Sequence, residues 1–191
     1  MIQRCPWAEK HPALTVYHDN EWGTPLKDSR KLFEAIILDC AQAGLSWLTI
    51  LKRRESYRAA FEDFDPQKVA TYTDQDVARL MADEQIVRNE KKIRSVIKNA
   101  QAYCKMADRG IDFSNWLWTF VDHKPIVHHY KTEQEIPAIT ELSDRLSKSL
   151  KRRGFAFIGP SVIYAFMQAI GMVNDHITDC FKHPDNGGLE N

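Results

Sequence analysis

The sequence carries no net charge: 26 Lys and Arg residues balance 26 Asp and Glu. There is no overall pull toward nucleic acid or an anionic membrane, although a neutral total can still hold a basic face. No apolar run approaches the roughly 20 residues that a membrane-spanning helix requires, so no membrane partner is expected. The opening Met-Ile-Gln-Arg-Cys-Pro-Trp has no apolar signal core, and the expected location is the cytoplasm. Thiols stay reduced there, so the four cysteines, at 5, 40, 104 and 180, are not read as disulfides. Repeats, low-complexity tracts and Gly/Ser linkers are also missing. The 191 residues have room for one sizeable core, in one or two lobes.

Strand patterning is nearly absent, and Phe155-Ala156-Phe157-Ile158 is the one short candidate. Elsewhere the apolar spacing is helical. Leu32, Phe33, Ile36, Ile37 and Cys40 form a stripe opened by Asp28 or Ser29 and stopped by Gly44. A helix from about Ser46 carries Trp47, Ile50, Leu51 and Phe61, and Asp65-Pro66 opens a short one. Asp74 to Ala82 turns Val77, Leu80 and Met81 inward, and a long helix from about Arg88 to Met106 repeats Ile93, Val96, Ile97, Ala100 and Tyr103. Thr140 to Arg152 aligns Leu142, Leu146 and Leu150, and Pro160 starts a helix that runs to Gly171. The stretch from Asp122 to Pro137 has no period and predicts a loop between lobes. The class is all-α.

No Cys-x-x-Cys knuckle occurs, yet the cysteines and histidines are not scattered evenly. Cys40 and Cys104 sit on apolar helix faces, where an inert buried thiol is expected. Cys5 and Cys180 lie near opposite ends, outside the regular helices. His176 and Cys180 are one helical turn apart, and the twelve residues between Cys5 and His18 form a loop able to fold back. Two thiolates and two imidazoles suit tetrahedral zinc. The spacing is equally compatible with two unrelated thiols and two surface imidazoles. Asp19 and Asp175 flank the two histidines and are candidates to orient them. His11, His123, His128, His129 and His183 have no such pairing and read as surface residues.

Basic residues cluster at Lys52-Arg53-Arg54, at Lys91-Lys92 with Arg94 and Lys98, and at Lys148 with Lys151-Arg152-Arg153. From charge alone these read as solvated helix faces before they read as DNA contacts.

Longer motifs narrow these alternatives. Arg4-Cys5-Pro6-Trp7 with Tyr17-His18-Asp19-Asn20-Glu21-Trp22-Gly23-Thr24-Pro25 resembles the opening of the DNA-3-methyladenine glycosylase I family. Gln42-Ala43-Gly44-Leu45-Ser46-Trp47 resembles a second family motif, and residues 151–159 with 164–169 a third. Val173-Asn174-Asp175-His176 closes the pattern, so the likeness runs from about Arg4 to Cys180. The resemblance implies a helix-hairpin-helix glycosylase fold in two lobes: residues 29–121 with the hairpin, and 1–28 plus 122–191 with the metal. It implies one structural zinc on Cys5, His18, His176 and Cys180. With all four positions filled by protein, such a site has no place for an activated water. It also implies excision of 3-methyladenine from alkylated double-stranded DNA.

Excision demands base flipping and a pocket for an alkylated adenine whose positive charge already weakens its bond to the sugar. Aromatic faces and one carboxylate meet that need, a Trp over a cation contributing about 0.5–2 kcal/mol. Each aromatic residue taken singly could equally pack a core. With the motifs, Tyr17 and Trp47 are expected to stack on the base, Trp7 and Trp22 to wall the pocket, and Asp39 to supply the carboxylate. The family has Glu at this position, so Asp39 is one methylene short, on the order of 1.3–1.5 Å of reach. Asp74–Ala82 and the following long helix would form the hairpin, with Lys91, Lys92 and Arg94 attracting phosphate. Gln85 stands where the family usually has Gly, which predicts an unusual backbone there. Leu45 is either a wedge filling the gap left by the flipped base or a core residue. A non-catalytic binder of damaged DNA, and a zinc hydrolase with an open metal position, are the other readings.

Overall fold

Helical apolar stripes account for most of the order in the computed structural model, which describes residues 2–187. The helices are α1 (Pro12–Asn20), α2 (Ser29–Gln42), α3 (Trp47–Leu51), α4 (Arg54–Ala60), α5 (Pro66–Val69), α6 (Asp74–Ala82), α7 (Glu90–Ala107), α8 (Phe113–Trp118), α9 (Glu141–Arg152) and α10 (Pro160–Ala169). Five short 3-10 helices and two short parallel strands, β1 (Ile126–Val127) and β2 (Val173–Asn174), complete the regular structure among the described residues.

Helix α2 is central. Its Leu32, Phe33, Ile36 and Ile37 are completely buried, each contributing about 1.5–3 kcal/mol of burial. Around it pack α3, α7, α8 and α10. The Asp28 carboxylate accepts from the Lys31 N–H at 2.8 Å and caps the N-terminus. One continuous core runs from α2 through α7 and α8 into α9 and α10. A smaller cluster of Cys5, Tyr17, Trp22, Ile177 and Cys180 joins the two ends of the described chain.

Three local expectations are corrected. The segment between Cys5 and His18 is a short 3-10 helix followed by α1. Pro12 opens α1, and His11 Nδ1 accepts from the Ala13 N–H at 3.1 Å. The helix expected from Ser46 to Phe61 breaks at Lys52-Arg53, where the Arg53 guanidinium donates to the carbonyls of Glu84 and Ile86 at 2.8 and 3.2 Å. Phe155–Ile158 is no strand. The Asn99 side chain donates to the Ala156 carbonyl and accepts from its N–H, at 3.2 and 2.7 Å, in place of a neighbouring strand, and Phe157 turns to φ +61°.

Two glycines allow the chain after α1 to cross the end of α10. The Gly23 N–H donates to the Gln168 carbonyl and the Leu26 N–H to the Ile170 carbonyl, both at 3.0 Å. A Cβ on Gly171 would lie 2.5 Å from the Thr24 carbonyl carbon, and one on Gly23 would lie 2.7 Å from His176 Nε2. Gly23 also has φ +73°. We expect Gly23→Ala to cost about 2–4 kcal/mol, read as a shift in the denaturation midpoint. An unchanged midpoint would show that the His176 ring moves aside freely.

A buried thiol–imidazole cluster behind an aromatic cavity

Cys5 precedes the first turn, His18 lies in the last turn of α1, and His176 and Cys180 lie in the turn after β2. One donor atom from each lies within 4.8 Å of every other, and all four residues are buried. Cys5 Sγ is 3.7 Å from His176 Nδ1. His18 Nε2 is 3.1 Å from His176 Nδ1 and 3.4 Å from Cys180 Sγ. Cys180 Sγ is 3.5 Å from His176 Nδ1. A tetrahedron with Zn–N near 2.0–2.1 Å and Zn–S near 2.3 Å has edges of about 3.3–3.8 Å, and most of these spacings agree with it.

The outer partners fit as well. His18 Nδ1 is 2.8 Å from Asp19, which Arg4 grips in turn at 2.8 Å. His176 Nε2 is 3.2 Å from the Trp22 carbonyl. Each imidazole can therefore donate outward and turn its other nitrogen to the centre, the arrangement that orients metal-binding histidines. Asp175 differs from expectation. It accepts from His128, Tyr164 and Gln168 at 2.6, 2.6 and 2.7 Å and does not hold His176. The two thiols are driven apart: hydrogen bonding to Cys180 and burial push Cys5 up, while the bond from Cys5 and those with His176 and His18 pull Cys180 down.

Trp22 connects this cluster to a cavity. Its ring meets His176 edge-on at 4.6 Å and Trp7 at 5.1 Å, and Tyr17 meets Trp47 at 5.2 Å. Trp7, Tyr17, Trp22 and Trp47 all line one space of about 340 Å³, with Asp39, Gln42, Glu133 and Gln168. All four aromatic residues singled out in the sequence thus share a wall. Glu133 was not anticipated. It comes from the loop after β1, and its Oε1 accepts from the Trp7 N–H at 2.6 Å; nothing in its neighbours' pattern marks it. A larger cavity of about 410 Å³ lies beside Tyr17, Asp39 and Trp47, lined by Lys31, Glu34, Arg54 and Arg58. Arg54 pairs with Glu21 and Arg58 with Glu34. The smaller, aromatic space suits a flat base better.

Asp39 lies in the last turn of α2, inside this wall. It is 3% exposed, and burial pushes its carboxyl well above the usual carboxylate range. Its Oδ2 has no hydrogen-bond partner, and neither has the buried Trp47 Nε1. Two orphaned polar atoms of opposite kind, acceptor and donor, thus belong to residues of one cavity wall. Such groups cost free energy unless a ligand satisfies them.

The basic residues after residue 83 separate in role. Lys91 is exposed. Arg94 is held by Glu90 and Asp74 at 2.7 and 2.8 Å. Lys92 is buried, and its ammonium donates to the carbonyls of Ala41 and Ala43 at 2.7 and 2.6 Å. It is therefore no free phosphate contact. It caps the C-terminus of α2, where a cation is favoured, and steadies the turn into Leu45. We expect Lys92→Met to cost about 1.5–3 kcal/mol, measured by denaturant unfolding; a neutral result would discount the cap. Leu45 itself stands out, 39% exposed, at the tip of that turn and not in the core. Gln85 adopts no left-handed backbone. Its N–H donates to the Asp83 carboxylate at 2.8 Å, so an Asx turn replaces the glycine turn that the resemblance implied.

A family model for methyladenine glycosylase matches residues 7–183. The chain is 51% identical to DNA-3-methyladenine glycosylase 1 of Escherichia coli (strain K12), over 97% of this chain and 99% of that one. Its fold superposes on a crystal structure of 3-methyladenine DNA glycosylase I with TM-score 0.94 and 50% identity, covering 95% of this chain and 100% of the other. It is also similar to a tyrosine-to-phenylalanine variant of 3-methyladenine DNA glycosylase I in complex with 3-methyladenine, with TM-score 0.89 and 41% identity over 93% and 95% of the two chains. With a family match across most of its length and relatives at half identity, the chain belongs to the methyladenine glycosylase family.

Proposed function

We propose that this protein is a monofunctional DNA glycosylase that removes 3-methyladenine from alkylated double-stranded DNA by hydrolysing its N-glycosidic bond. The observation that carries this reading is the cavity itself: four aromatic side chains around a buried carboxylate with an unpartnered oxygen. The solved relative with bound 3-methyladenine supports it.

The substrate base carries positive charge before reaction, so its departure from C1′ needs little protonation. Tyr17 and Trp47 stack on the flipped base, and Trp7 and Trp22 close the wall behind it. Asp39 complements the cation; neutral adenine offers no charge to offset the burial of a carboxylate, and so is rejected. As the C1′–N bond breaks, its electron pair returns to the base, water adds its oxygen to C1′, and the water's proton leaves to solvent.

DNA is held by parts outside the cavity. Helices α6 and α7 with the 83–89 turn form the helix-hairpin-helix, gripping a phosphate through backbone N–H groups at the start of α7. Lys91 adds attraction, and Leu45 wedges into the space that the flipped base leaves. Residues 29–121 form the lobe with this grip; among the described residues, 2–28 and 122–187 form the other. Between the ends sits one Zn²⁺ on Cys5, His18, His176 and Cys180. The donor set and spacings support it, and a cytoplasmic setting keeps both thiols available. When bound it supplies a cross-link with no open position for water.

The test is incubation with methylated duplex DNA. Free 3-methyladenine should be released, with little release of adenine. Tight binding to the duplex without release would instead identify a non-catalytic reader of damage.

A further inference from the structure

A second constellation of metal-binding side chains lies outside the cavity and the Cys/His cluster. His183 was expected at the surface, yet it is completely buried. Its Nε2 lies 3.1 Å from the His128 carbonyl. An Nε2–H donated there leaves Nδ1 with a lone pair, the tautomer that a metal ligand needs and the kind of backbone partner that commonly fixes it. Nδ1 lies 3.6 Å from Asp185 Oδ2, and His129 Nε2 lies 3.4 Å from the same oxygen. The two rings meet edge-on, with centroids 5.0 Å apart. Donors on a shared ion with bonds near 2.0–2.1 Å sit about 3.3 Å apart, so small rotations of His129 and Asp185 would complete the set. Both are 61% exposed and free to make them. The Asp185 N–H donates to Nδ1 at 3.3 Å; a metal would displace this long bond, and water can serve an amide in an exposed turn.

We propose that His129, His183 and Asp185 form a second divalent-cation site, for Zn²⁺ or a related transition-metal ion, with at least one coordination position left to water. Two imidazoles and one carboxylate select such ions over Mg²⁺ and Ca²⁺, which prefer oxygen donors throughout. The site shares no residue with the Cys5–His18–His176–Cys180 cluster and has no thiolate. Its effect follows from where the ligands come from. His129 belongs to the segment after β1, and His183 and Asp185 to the last described turn. The two segments are already joined by the Thr178 N–H on the Tyr130 carbonyl at 2.8 Å. An ion across them would clamp the end of the described chain to the loop that carries Glu133 into the cavity, stabilising the native state in proportion to free metal.

The test is a Zn²⁺ titration of the full-length protein, already saturated at its tightest site, against a chromophoric chelator. Wild type should take up a second equivalent. His129→Ala and Asp185→Asn should each weaken that uptake at least tenfold, with unchanged circular dichroism. The same variants loaded with Co²⁺ should keep the near-ultraviolet thiolate-to-metal band of the first site, so the two sites are read separately. Absence of a second equivalent in wild type, or a second equivalent unaffected by both substitutions, overturns the proposal.

Discussion

Replacing Asp39 with asparagine is expected to slow excision by about 10²–10³-fold, the usual cost of removing one preorganised electrostatic group from an active site, and to stabilise the fold at neutral pH. Both effects have one origin. Asp39 is buried with Oδ2 unpartnered, so the empty protein bears the cost of a carboxyl that only a cationic base can satisfy. Burial raises its pKa above the unfolded value. The native state then holds the proton more tightly than the unfolded chain does, and stability falls as pH rises through the raised value. Asn is neutral throughout. The stability advantage of Asp39→Asn should therefore be small in acid and grow toward neutral pH, to on the order of 1 kcal/mol or more. A bound cation shifts the carboxyl the opposite way, so affinity for the positively charged base should weaken as pH falls. Asp39→Glu restores the family's side chain and should stay within about tenfold of wild type, since the charge is kept and the added methylene can extend into the cavity. Equal excision rates for wild type and Asp39→Asn would remove Asp39 from the mechanism.

The helices with strong apolar stripes are readable from the sequence because burial of one face dictates them: α2, α7, α9 and α10 start and stop close to where caps, prolines and glycines place them. Helices α1 and α8 are less visible. Helix α1 is short, and its inner face is the terminal cluster of Tyr17 and His18, so tertiary packing defines it more than periodicity. The strand expected at Phe155–Ile158 shows the same limit in reverse, since Asn99 from α7 satisfies that backbone, and no local pattern announces a partner 57 residues away. Within the site, the four aromatic residues and the Cys5–His18–His176–Cys180 cluster are legible because the motifs name them. Lys92 is not: its charge reads as a phosphate contact until Ala41 and Ala43 turn their carbonyls toward it. Glu133 enters from a loop without period, and its place beside Trp7 is a matter of fold alone.

Removing the Zn²⁺ proposed for the Cys5–His18–His176–Cys180 cluster should unfold the terminal cluster and abolish excision together. Cys5 and Cys180 are buried in a cluster with Tyr17, Trp22 and Ile177, His18 and His176 pack their rings on Trp22, and Trp22 stands between His176 and Trp7 of the cavity wall. Structural zinc sites contribute directly to folding free energy. Cys180→Ala, or treatment with a strong chelator, is therefore expected to cost several kcal/mol, lowering the melting temperature by roughly 10 °C or more for a chain of this size. Loss of activity alone would not separate a clasp from a catalyst, but exchange of the ion does. Cd²⁺ accepts the same two thiolates and two imidazoles, so a cadmium-loaded protein should fold normally and excise within a few-fold of the zinc form. A zinc hydrolase would behave otherwise, because its rate depends on the acidity of a metal-bound water, and cadmium would leave it folded and nearly inactive. A chelated protein that keeps both its melting temperature and its activity would remove the clasp altogether.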